Sequence, residues 1–112
     1  MIIAQWTCDV PAKHREGLRR FVREEMRDIY LAHGCQRDEL LLPLPSARKY
    51  FSFHRNLKRT ACVEQLSFPD LRTLERFLRT METDAVARSA TARYGAEFGL
   101  RNCVFTLLTV DG

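Results

Sequence analysis

Hydrophobic positions alternate with polar ones in short runs near both ends of the chain and recur every three or four residues between them. Residues 2–10, IIAQWTCDV, are rich in β-formers and stop at Pro11, which predicts a strand. Leu18, Phe21, Val22, Met26, Ile29, Tyr30 and His33 then share one stripe, with Arg15, Arg19, Arg20, Arg23, Glu24, Arg27 and Asp28 opposite. A helix is predicted over 11–33, with Pro11 in its first turn and Gly34 as a left-handed stop. ELLLPL, 39–44, reads as a short strand that Pro43 and Pro45 confine to an edge. KYFSFH, 49–54, alternates as a strand, with Phe51 and Phe53 on one face and Tyr50, Ser52 and His54 on the other. RNLKR, 55–59, is a polar turn. TACVEQLSF, 60–68, is a further strand with Cys62, Glu64, Leu66 and Phe68 on one side. Asp70 caps a second helix whose stripe is Leu71, Leu74, Phe77, Leu78 and Met81. Thr83 or Asp84 starts a short helix bearing Val86, Ala90 and Tyr94, which Gly95 and Gly99 break. CVFTLLTV, 103–110, is the last strand.

Strand, helix, two strands, helix, strand is the order of the ferredoxin-like βαββαβ fold, an α+β architecture with an antiparallel sheet covered by helices on one face. The whole chain, 1–112, forms a single domain on this reading. The strands are apolar on both faces: Phe105 and Leu107 oppose Val104, Leu108 and Val110, and Ala61 and Val63 oppose Leu66 and Phe68. A second face of that kind needs a cover, and a homodimer packed sheet against sheet supplies one.

Composition changes this picture little. The chain is 46% hydrophobic and 29% charged, with a net charge of +4. Acids and bases interleave, as in REEMRD, and Arg48, Arg55, Lys58 and Arg59 are a local concentration, so no nucleic-acid partner is expected. No signal peptide and no membrane-spanning run is read, and the expected location is cytoplasmic. Cys8, Cys35, Cys62 and Cys103 are far apart and read as free thiols. Cys8, Cys62 and Cys103 converge only if their strands are neighbours, and no metal-ligand spacing exists; neither metal nor cofactor is expected.

YLAHGCQRDEL after the first helix, and VEQLSFPDLRTLERFL running from a strand into the second, resemble the dimeric α/β-barrel superfamily and within it the antibiotic-biosynthesis-monooxygenase-like group. That group often has His-Pro-Gly-Cys after the first helix, where this chain has His33-Gly34-Cys35 without the Pro. It often ends a strand in Glu-x-Trp, where this chain has Glu64-Gln65-Leu66. The resemblance implies a dimeric α/β barrel acting on a small molecule, as in cofactor-independent monooxygenases, isomerases or cyclases of hydrophobic aromatic metabolites. A non-catalytic dimeric ligand binder of the same fold is the alternative, and an RNA-recognition module a remote one. Haem degraders of the group use an Asn in the first strand, a Trp in the second helix and a His beyond it. Here 4–8 reads AQWTC, 71–81 has no Trp and no His follows His54. Most members also have a much shorter turn where this chain has KYFSFHRNLKR, which leaves the register of 45–59 open.

Among the histidines, His14 reads as a surface residue and His33 as a helix cap. His54 is the candidate catalytic base: it shares a face with Tyr50 and Ser52 beside Arg48 and Arg55. Tyr50 is a second candidate catalytic group, and Ser52, Arg48 and Arg55 are candidate substrate contacts. Trp6 is either a pocket wall for an aromatic ligand or a core tryptophan. Glu64 is either a buried acid paired with an Arg or an edge residue in water.

Overall fold

The computed structural model of the protein describes residues 1–111. Four strands, β1 (Ile2–Asp9), β2 (Arg37–Leu41), β3 (Ala61–Phe68) and β4 (Arg101–Thr109), form one antiparallel sheet in the order β2-β3-β1-β4. This is the ferredoxin-like α+β arrangement. The first helix, α1 (residues 12–32), is continuous but not uniform. A 3₁₀ turn (Ala12–His14) leads into an α segment (Arg15–Phe21), a π segment (Val22–Met26) and a second α segment (Arg27–Ala32). The wider π turns carry Val22 and Met26 inward, and both are buried.

Two further helices, α2 (Leu71–Thr83) and α3 (Ala85–Glu97), are joined by one residue. Asp70 caps α2, its carboxylate accepting from the Thr73 N–H at 2.8 Å. Asp84 ends α2 through its own N–H, donated to the Thr80 carbonyl, and caps α3 by accepting from the Ala87 N–H at 3.0 Å. The third helix is longer than its pattern suggested. Gly95 lies within it, and the break comes at Gly99, which has φ +62°.

The register decides which side chains meet. Trp6 lies opposite Glu64 on one side and Phe105 on the other; Ala4 lies opposite Leu66 and Leu107. These residues share the helix-covered face, where Ala4, Cys62, Leu66 and Phe68 join Leu18, Phe21, Met26, Leu74 and Phe77 in the core. The other face carries Ile3, Val63, Val104 and Leu108 around a Gln5–Gln65 hydrogen bond of 2.8 Å. All residues of β4 are exposed.

The strand expected over 49–54 does not form. After Leu41 the chain leaves the sheet and runs irregularly to Thr60. Pro43 and Pro45 lack the N–H groups that pairing needs, and no strand lies beyond β2 to accept a continuation. Phe51 and Phe53 therefore do not enter the core. They are 65% and 77% exposed and stack on each other.

Gly34, which ends α1, has φ +100°, and a Cβ placed on it would lie 2.8 Å from Thr73 Cγ2. Gly34→Ala is expected to destabilise the fold by about 1–3 kcal/mol. Gly95, helical with open space around it, is expected to gain up to about 1 kcal/mol on substitution by Ala. Denaturant midpoints of the two variants check the opposite signs.

Candidate active site

Beneath the helices, the sheet face and the inner sides of α1, α2 and α3 leave a cavity of about 450 Å³. Trp6, Cys8 and Cys103 form its sheet wall, Met26 and Tyr30 come from α1, Leu78 and Met81 from α2, and Tyr94 from α3. The indole of Trp6 is held by Phe105, with ring centroids 4.9 Å apart. The walls are mostly apolar, with Glu82 and Thr91 at exposed helix positions and one buried polar corner.

That corner is built around Glu64. Strand alternation turns Cys62, Glu64, Leu66 and Phe68 to the same side, and Glu64 is only 4% exposed. Its Oε1 accepts from the Tyr30 hydroxyl at 3.3 Å and from the Tyr94 hydroxyl at 3.2 Å. Asp38, on β2, is within hydrogen-bonding reach of Glu64, and its Oδ2 accepts from Arg27 Nε at 3.2 Å. Two oxygens, Glu64 Oε2 and Asp38 Oδ1, are buried with no donor.

A single proton resolves this arrangement. Two adjacent dehydrated carboxylates would each lose several kcal/mol of hydration and repel one another. A proton shared between Glu64 and Asp38 would give the orphan oxygens a partner and leave one negative charge, beside Arg27. Burial pushes the Glu64 carboxyl well above the ordinary carboxylate range, and the neighbouring Asp38 charge adds to this; the tyrosine bonds oppose it. Burial also raises Asp38, while its bonds to Glu64 and Arg27 pull it down. Tyr30 and Tyr94 are held neutral by burial and by the same acid.

The cysteines converge beside this corner. Cys8 and Cys62 are register partners, Cys8 is in hydrogen-bonding reach of Cys103, and all are free thiols. Burial is the main cause that pushes Cys8 up to about 12 and Cys62 up to about 11, so both are protonated and weakly nucleophilic. Among the described residues, no group of three His, Cys, Asp or Glu side chains is arranged to hold a metal ion, and no helix is long and apolar enough to cross a membrane.

Of the residues singled out from sequence, Trp6 lines this cavity. Arg48, Ser52, His54 and Arg55 gather around a separate surface hollow, and the Tyr50 ring stacks on His54 with centroids 5.7 Å apart. The Tyr50 N–H donates to His54 Nδ1 at 3.2 Å. Glu64 is buried as one of its two readings held, but its direct partners are tyrosines and an acid, with the arginine one residue further on. Asp38, Tyr30 and Tyr94 carried no functional expectation. The available signal was a carboxyl or phenol on an otherwise apolar stripe, which has to find a partner when buried.

No family model matches the sequence, and no curated protein matches it. Solved structures do match. An uncharacterised NIPSNAP domain protein from Burkholderia xenovorans superposes with a TM-score of 0.65 at 12% identity, covering 99% of this chain and 95% of that one. A NIPSNAP family protein from Agrobacterium tumefaciens gives 0.64 at 11% identity over 98% and 92%. An antibiotic biosynthesis monooxygenase gives 0.63 at 10% identity over the full length of both chains. The chain thus has the ferredoxin-like fold that these proteins share; at such identities the likeness concerns the fold.

Glu64→Gln tests the shared proton. Both carboxyls have folded-state values above their ordinary 4.5 and 3.8, so the folded protein binds more protons than the unfolded one once pH exceeds that range. Wild-type stability is expected to fall as pH rises from there through the raised Glu64 value. A glutamine amide keeps the acceptor for the tyrosines and the donor for Asp38 without an ionisation. The variant is expected to match wild type near pH 5, exceed it near pH 8, and have a flatter profile in urea unfolding across that range.

Proposed function

We propose that the protein is a homodimer that acts on a small hydrophobic, aromatic molecule bound between Trp6 and Glu64. The chemistry is that of a cofactor-independent monooxygenase, isomerase or cyclase. The observation that carries this reading is the buried ionisable corner of a mostly apolar cavity. Apolar walls with one polar group orient a flat ligand, and a carboxyl raised above its usual range is suited to proton transfer near neutral pH. In this role Trp6 is the aromatic wall, and Glu64, reached through Tyr94, is the acid–base group. The same cavity serves a non-catalytic ligand binder, and turnover separates the two.

Dimerisation is supported by β4. Val104, Phe105, Leu107 and Leu108 are all between 43% and 56% exposed, an apolar run on both faces of an edge strand that a second copy would cover. Light scattering at micromolar concentration is expected to give twice the chain mass, and Leu108→Asp, on the face away from the helices, is expected to give a monomer.

Oxygen consumption with a panel of hydroquinones and hydroxylated polycyclic arenes tests catalysis. Wild type is expected to turn over at least one of them, and Glu64→Gln to lose on the order of 10²-fold or more in kcat. Activity lost in His54→Ala but kept in Glu64→Gln would instead assign the chemistry to His54 and Tyr50. Binding without turnover would favour the ligand binder.

A further inference from the structure

We propose that the polar corner selects ligands that present a hydrogen-bond donor, an O–H or N–H on an apolar ring system, and discriminates against the corresponding ethers and carbonyl compounds. This deepens the reading above and rests on it. The argument is an inventory of protons and lone pairs. A tyrosine hydroxyl has one proton. Tyr30 and Tyr94 both direct theirs to Glu64 Oε1. Glu64 Oε2 is buried and has no other partner, and a second acid, Asp38, is in hydrogen-bonding reach of the Glu64 carboxyl. Every proton of the corner is thus committed within the corner. The capacity left facing the cavity is the lone pairs of the two phenol oxygens, and Tyr94, half-buried where Tyr30 is buried, is the more accessible.

A ligand hydroxyl or amine completes this pattern without disturbing it. A ligand carbonyl brings lone pairs against lone pairs and bonds only by drawing a tyrosine proton away from Glu64. An ether leaves the phenol oxygens facing a methyl group with no partner, and a buried polar group left in that state opposes binding. The cavity has no other polar wall to compensate, since apart from the thiols of Cys8 and Cys103 its remaining polar lining, Glu82 and Thr91, belongs to exposed helix positions.

Titration calorimetry with 2-naphthol, 2-methoxynaphthalene and 2-naphthaldehyde tests the rule. Burial of apolar surface alone favours the methyl ether over the naphthol, so the expected order runs against hydrophobicity. Wild type is expected to bind 2-naphthol at least tenfold more tightly than either analogue. Tyr94→Phe is expected to reduce that ratio at least fivefold, with Tyr30→Phe as the second variant should Tyr94→Phe melt too low to titrate. Ether or aldehyde binding as tight as naphthol in the wild type would overturn the donor rule while leaving the cavity a ligand site. A ratio undiminished in both phenylalanine variants would overturn the tyrosine assignment. If none of the three binds, the cavity reading falls and the donor rule with it.

Discussion

Glu64 is an acid on an inner strand where a sheet and three helices exclude water, and the surrounding polar chemistry follows from that position. A carboxyl so placed must hold its proton or find donors, and here it does both. One oxygen accepts hydrogen bonds from two phenols, on α1 and on α3, and Asp38 on β2 is in hydrogen-bonding reach of the carboxyl. Arg27 on α1 then balances the charge that Asp38 retains. The network joins three elements, α1, α3 and β2, to β3 through polar contacts, inside a core otherwise held mainly by Leu, Phe, Met and Val.

Such a network is a poor way to gain stability. Hydrophobic residues of similar volume in place of a buried ionic cluster are often neutral or stabilising. What it supplies is a pre-set donor–acceptor pattern at the end of an apolar cavity, oriented by strand register on one side and by helix packing on the other. Trp6, opposite Glu64 in the β1–β3 ladder, sets an aromatic wall beside the acid. The π segment of α1 brings Met26 to the same cavity, so an irregular turn of helix contributes to the cavity wall as well as to the core.

Much of this was legible in the chain. The α1 stripe, the stop at Gly34, the cap at Asp70 and the apolar alternation of β3 are local signals, each set by a few neighbouring residues, and each is realised. Residues 49–54 carry an equally clear alternation and form no strand, because alternation states only that a strand would have two faces. Whether a partner strand is present depends on sheet order and on the prolines before it. Gly95 was read as a breaker from its residue type, but an exposed glycine inside a capped helix costs only about 1 kcal/mol relative to alanine, too little to end it. The polar corner was the least legible part. Tyr30, Asp38, Glu64 and Tyr94 are scattered over 65 positions of sequence, counted from 30 to 94, and only the fold brings them together. Phenols on apolar helix faces and an acid on an apolar strand face were each visible. Their convergence was not, and attention went to the denser cluster of aromatic and basic residues at 48–55.

The central claim is that Glu64 is protonated at neutral pH and shares that proton with Asp38. Carbon-13 NMR of the side-chain carboxyls, with Glu64 assigned by its absence in Glu64→Gln, measures this directly. The account predicts one glutamate carboxyl resonance that still has the protonated shift at pH 7, when the surface glutamates have completed their titration, and that moves together with the Asp38 signal. A Glu64 resonance that titrates with the surface glutamates, near their ordinary value, would contradict it.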